Sequence, residues 1–272
     1  MTERAVVFAE QSLVGVLTSA DVDDDLRRPA VLLLNAGLLH RVGPHRLHVR
    51  IARELARRGF SALRFDRSGV GDSPPRIDGL PLHTAAVSDV RDALDFVAAE
   101  QRATSFILFG LCSGADLAFR VALSDKRVVG AVLVDGLPYQ TLRSRIYHCV
   151  SRLMRRGGWR RLVARDGPVW RRLRRGWKPA GPANALRRRD VPAMEEADSG
   201  LRELTLRGVR FLLLYTPGRE YSYQRQFWDM FPTVRRDHVD VAYLRDADHT
   251  FTLRANQDLL VGAVNAWIAK FQ

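Results

Sequence analysis

A series of short apolar runs, with little alternation between polar and apolar residues, is the strongest constraint on this chain. They are Val31-Leu32-Leu33-Leu34, Ser61-Ala62-Leu63-Arg64-Phe65, Phe106-Ile107-Leu108-Phe109, Val129 to Val134 and Phe211-Leu212-Leu213-Leu214-Tyr215. Runs of this kind suit strands that are buried on both faces, as in a parallel sheet covered by helices. A weaker one spans Val239 to Leu244. Between them, apolar residues recur at helical intervals: Leu47, Ile51 and Leu55; Val87, Val90, Leu94 and Val97; Leu117, Val121 and Ala122; then Leu259, Leu260, Ala263, Trp267 and Ile268. Strand and helix therefore alternate, which implies an α/β fold with a mostly parallel central sheet flanked by helices. Ahead of this pattern, Ala5 to Phe8 and Leu13 to Leu17 alternate and predict an opening hairpin, with Asp21 to Asp25 as a solvated turn.

The alternation is interrupted once. Strand signals vanish over residues 137–206, which read as an inserted basic helical cap, leaving 1–136 and 207–272 as the core. The chain has 272 residues and a net charge of +13. Residues 141–190 hold sixteen Arg/Lys against two Asp, so the remainder is close to neutral. Within the cap Leu153, Met154, Leu162 and Val163, then Trp170, Leu173 and Trp177, fall at helical spacing with arginines between them. Such basic amphipathic helices suit a cover over a site and an anionic partner, here an acidic acyl carrier protein or a coenzyme A ester. Peripheral contact with a membrane surface is the next reading. Nucleic acid is disfavoured, because no recognition motif accompanies the charge.

Two cysteines, Cys112 and Cys149, give neither a disulfide framework nor a zinc site, and no cofactor is expected. The N-terminal segment lacks a basic region followed by an apolar stretch, and no run is long enough to span a bilayer. A cytoplasmic protein is expected.

The sequence Gly110-Leu111-Cys112-Ser113-Gly114 sits between a buried strand and a helix. Gly-x-nucleophile-x-Gly in that setting makes a tight turn that lifts the central residue above the sheet, the glycines giving clearance. Cys112 is the candidate nucleophile. The helix N-terminus and a nearby imidazolium both favour a thiolate and lower a thiol pKa from about 8.5 to roughly 3.5–7.5. Ser113 is one place too late for the role.

His249, in Ala247-Asp248-His249-Thr250-Phe251 after the last strand, is the candidate base; His40, His45 and His48 lie near the oxyanion loop, His83, His148 and His238 lack a comparable context, and these six read as surface or structural. Glu220, in the loop after Phe211 to Tyr215, is the preferred carboxylate to orient the imidazole, with Asp246, Asp248 and Asp135 as rivals. The order nucleophile, acid, base is then kept. An oxyanion hole would use the backbone N–H groups of Ser113 and Leu38, the latter in Asn35-Ala36-Gly37-Leu38-Leu39.

These residues resemble the α/β-hydrolase superfamily, in the branch of serine aminopeptidase and monoacylglycerol lipase-like hydrolases. Asp66-Arg67-Ser68-Gly69-Val70-Gly71-Asp72-Ser73 is similar to its loop after the fourth strand, and Ala247 to Phe251 to its histidine loop. The Cys112 turn with Arg41-Val42-Gly43-Pro44-His45-Arg46 resembles the small hydrolases associated with exosortase systems. Dienelactone hydrolases and polyhydroxyalkanoate synthases also use cysteine there. The resemblance covers residues 5–136 and 207–272, and by position it implies Cys112 as nucleophile, His249 as base and Glu220 in place of the more usual Asp.

The expected chemistry is acyl transfer from an ester or thioester through an acyl-cysteine, making the chain a thioesterase, an esterase or an acyltransferase. A non-catalytic scaffold with an anionic partner at the basic cap is the competing expectation.

Overall fold

The computed structural model describes residues 1–10, 12–20, 28–141, 143, 146, 189, 191–218 and 221–271. Their strands form one sheet of eight: β1 (Thr2–Phe8), β2 (Leu13–Ser19), β3 (Ala30–Leu34), β4 (Ala62–Asp66), β5 (Phe106–Leu111), β6 (Val128–Val134), β7 (Arg210–Tyr215) and β8 (Val239–Tyr243), in the order β1-β2-β4-β3-β5-β6-β7-β8. From β4 to β8 all neighbours run parallel, and only the opening hairpin and its junction with β4 are antiparallel. The expected turn at 21–25 lies outside the described residues.

Each apolar run forms a strand because both of its faces are covered. On one side α1 (Leu47–Arg57) and the final α6 (Arg254–Ile268) pack Leu47, Ile51, Leu55, Leu260, Val264 and Trp267 against Val31, Leu33, Ile107, Phe109 and Val132. On the other, α2 (Leu82–Gln101) and α3 (Ser113–Ser124) pack Val90, Leu94, Val97, Ala118 and Val121 against Leu32, Leu63, Leu108 and Leu133. β8 gave the weakest sequence signal because it is an edge strand with one residue buried, its Asp240 paired with Lys270 at 2.6 Å.

Within residues 137–206, the centre of the expected cap, 147–188, lies outside the described residues. The end of that stretch is α4 (Met194–Leu206), which packs on the core: Ala197, Leu201 and Leu204 are buried with α3. Gly200 makes the approach close enough, since a Cβ there would lie 2.8 Å from the Phe119 ring. A short α5 (Gln226–Met230) adds Phe227 and Met230 to the same cluster.

The sheet order positions the site. The chain passes from β3 to β4 on one side and then to β5 on the other, so the loops after β3 and β5 diverge from adjacent strand ends. Crevices at such reversals are where open α/β sheets build their sites. The loops after β6 and β8 follow along the same edge, where the ladder is carried on by Cys112 N–H to Val134 O (2.8 Å), Asp135 N–H to Leu214 O (2.9 Å) and Leu244 N–H to Tyr215 O (2.8 Å).

Candidate active site

Cys112 has φ 58° and ψ −121°, a conformation that a non-glycine residue adopts only when its surroundings enforce it. The two flanking glycines permit it. A Cβ at Gly110 would lie 2.1 Å from the Gly114 carbonyl oxygen, and one at Gly114 would lie 2.7 Å from the Asn35 carbonyl oxygen. Strand, turn and helix are thus in backbone contact, and Cys112 stands at the start of α3, a partly exposed free thiol.

The Cys112 and His249 side chains lie close enough to shift each other's titration. Burial pushes the Cys112 thiol up, but the His249 hydrogen bond, the charges of Arg189 and His249 and the Ser113 N–H together bring it below its ordinary value. His249 moves in the opposite direction, to about 10, held protonated first by its hydrogen bond to Asp135 and then by Cys112. Opposed shifts of this kind mean that each partner favours the charged form of the other.

The carboxylate at His249 is that of Asp135, with Oδ2 2.7 Å from Nδ1. Glu220, expected in that place, lies outside the described residues. Asp135 follows β6 directly, is buried, and accepts from the Thr216 N–H and hydroxyl at 2.7 Å each. The chain order nucleophile, acid, base is unaffected. Of its rivals in the histidine loop, Asp248 is turned to the backbone and hydroxyls of Thr250 and Thr252, which fixes the loop around a buried Phe251 with φ 53°.

The loop after β3 is pinned from three sides. Asn35 Nδ2 donates to Leu39 O at 2.8 Å, Arg67 donates to Gly37 O at 3.0 Å, and the Gly37 N–H donates to Ser113 Oγ at 2.8 Å. The neighbouring Leu38 N–H has no acceptor among the described residues, and its side chain is exposed. The Ser113 N–H faces the Cys112 sulfur. The two amides expected to form an oxyanion hole therefore belong to loops on adjacent strands that a serine hydroxyl ties together.

Asp66, at the end of β4, anchors the Asp66-to-Ser73 loop. It accepts the Arg41 N–H at 2.6 Å and Asn35 Nδ2 at 3.1 Å, and Gly71 passes so close that a Cβ there would lie 2.3 Å from its Oδ2. His40, Asp66 and Asp72 bring potential ligand atoms within 4.8 Å of one another, but the Arg41 guanidinium bridges both carboxylates and supplies the positive charge there. His48 is buried against Phe109 and held neutral by burial, and His45 approaches Thr252 Oγ1 at 3.5 Å. His148 lies outside the described residues.

Two site residues escaped the sequence reading. Arg189 donates to the Cys112 carbonyl at 2.9 Å, to the Asp135 carbonyl and to Asp116. Asp116, one turn into α3, also accepts the Leu137 N–H at 3.0 Å. Nothing distinguishes Arg189 in sequence from the basic residues around it, whereas Asp116 is an acid on an otherwise apolar helix face. Among the described residues no helix is long and apolar enough to cross a membrane.

Known proteins share this architecture. A family model described as serine aminopeptidase, S33, matches residues 35–169. An esterase from Pyrococcus furiosus superposes with a TM-score of 0.61 at 13% identity, covering 99% of this chain and 90% of that one. Alpha/beta hydrolase domain-containing protein 10 from mouse gives 0.56 at 15%, covering both chains fully (100% each). An alpha-beta serine hydrolase homologue from Coxiella burnetii gives 0.56 at 14%, covering 97% and 96%. No curated protein matches by sequence. With its sheet order, its turn after β5 and these likenesses, the chain has the α/β-hydrolase fold and is similar to serine aminopeptidase, S33, over residues 35–169.

Proposed function

We propose that this hydrolase is a cysteine-dependent acyl hydrolase or acyltransferase acting on an ester or thioester, with Cys112 as nucleophile, His249 as general base and acid, and Asp135 as the carboxylate that orients it. The observation that carries the reading is the continuous line from Cys112 through His249 to Asp135 at the C-terminal edge of the sheet. The thiolate attacks the acyl carbonyl and the C=O electron pair moves onto oxygen, where the Ser113 and Leu38 amides meet it. Collapse of that intermediate breaks the bond to the leaving group, which takes the proton held by His249 Nε2, and leaves an acyl-cysteine thioester. His249 then removes a proton from water or another acceptor as it attacks the thioester, and the thiolate departs.

The acyl donor we favour is a thioester of coenzyme A or of an acidic carrier protein. Exchange between thioesters is nearly balanced, and the concentrated positive charge over residues 141–190 suits an anionic carrier. Intact-protein mass spectrometry after incubation with a panel of acyl esters and thioesters tests the reading. An acyl adduct is expected on Cys112 and not on Cys112→Ala. Absence of both adduct and turnover across the panel overturns it.

A further inference from the structure

Arg189 belongs to the basic stretch, yet its guanidinium is turned inward, with the side chain 14% exposed. One nitrogen, Nη2, donates to the carbonyl oxygens of both Cys112 and Asp135, while Nε and Nη2 grip the carboxylate of Asp116, which is 2% exposed. Cys112 and Asp135 share a rare property: both have positive φ, 58° and 49°. Their N–H groups still continue the sheet ladder at the ends of β5 and β6, and a single planar cation spans their two carbonyl oxygens. The fork geometry of a guanidinium suits this bridging in a way that a lysine ammonium does not.

Resting on the site proposed above, we infer that Arg189 is a positioning residue that fixes the nucleophile and acid turns relative to each other and sets a permanent positive charge near the Cys112 sulfur. Asp116 holds the guanidinium in place and, through the Leu137 N–H, ties the same point to the chain leaving β6. Four charged or titratable groups then bear on the thiol: His249 and Arg189 directly, Asp135 behind His249, and Asp116 behind Arg189. The Arg189 charge ranks next after the His249 hydrogen bond among the influences that favour the thiolate.

The test uses the full chain with Cys149→Ser, so that Cys112 is the sole thiol. The pH dependence of its alkylation by iodoacetamide gives the thiolate midpoint, and p-nitrophenyl butyrate gives kcat and KM. Removing Arg189 alone strands a buried carboxylate, so the main variant is Asp116→Asn with Arg189→Met, which removes both charges and keeps an acceptor for Leu137. A midpoint raised by about one unit, corresponding to about tenfold less thiolate on the acid side, is expected. The same variant should lose kcat about tenfold with KM nearly unchanged. Arg189→Lys retains the charge without the fork, so its midpoint stays near the parent while kcat falls several-fold. Parental midpoint and kcat in the double variant, or parental kcat in Arg189→Lys, overturn the inference, even if the melting temperature drops. A parental midpoint at or above about 8.5 with no acylation of Cys112 overturns the reading of the site itself, and the inference with it.

Discussion

Asp135 and His249 are 114 positions apart in the chain, and their side chains meet at 2.7 Å. Asp135 also accepts two hydrogen bonds from Thr216 at the end of the next strand, so the carboxylate is aimed before any substrate arrives. Asp135→Asn is isosteric but removes the charge that opposes the imidazolium, and kcat on an activated ester should fall on the order of 10²-fold. Glu220→Gln should stay within about twofold of the parent. Parental activity in Asp135→Asn together with a large loss in Glu220→Gln would return the acid role to Glu220.

The opposed shifts of Cys112 and His249 give a pH profile with two limbs. Cys112 lies below its ordinary value, so activity falls on the acid side only once the pH drops through that lowered value. His249 is raised to about 10, so the alkaline limb should lie near there. Stability follows the same signs. The His249 contribution is complete below the unfolded value of about 6.5 and is lost as pH rises through about 10. The Cys112 contribution is present above the unfolded thiol value and is lost as pH falls through the folded one. Initial rates from pH 4 to 11 should show a broad plateau; a single limb near pH 6.5 would mean that His249 acts as an isolated neutral base.

Backbone contact at the nucleophile turn makes Gly110 intolerant of any side chain, because its Cβ would meet Gly114 and Ala115 backbone atoms at 2.1 to 2.4 Å. Gly110→Ala should cost about 4 kcal/mol or more, a magnitude reserved for such clashes. Gly262, in the final helix, has open space where its Cβ would be, and Gly262→Ala should stabilise by ~0.5–1 kcal/mol through helix propensity. Denaturant titration of the pair reads both signs in one experiment.

If the basic stretch serves an anionic carrier, turnover of a coenzyme A or carrier-bound thioester should weaken with salt far more than turnover of a small neutral ester. Reversing Arg171 and Arg172 to Glu should raise KM for the carrier substrate by about tenfold and leave the neutral ester unchanged. Equal salt dependence for both substrates would remove the carrier from the proposal.

The core was legible because parallel strands buried on both faces leave unbroken apolar runs, and Val31 to Leu34 or Phe211 to Tyr215 have few other uses. The Cys112 turn was legible because its glycines are demanded locally. The partner of His249 was not: Asp135 and Glu220 each follow a strand, and the choice depends on lateral strand order, which sequence spacing does not carry. α4 was hidden for a related reason. Its Ala197, Leu201 and Leu204 stripe is short and lies beside the densest charge in the chain, so it read as cap rather than as a crossover helix. Arg189 gave no local signal, since its role comes from three acceptors supplied by the ends of β5 and β6 and by α3.

The bond from the Gly37 N–H to Ser113 Oγ separates two things that are easily treated as one. In the proposed mechanism the attacking atom belongs to residue 112, whereas the cradle that receives the displaced electron pair is held by residue 113, which staples the loop after β3 to the helix after β5. Exchanging sulfur for oxygen at 112 changes the attacking atom without touching that staple. In that mechanism the scaffold can vary its nucleophile while its cradle stays put, with the serine beside the cysteine keeping the two independent.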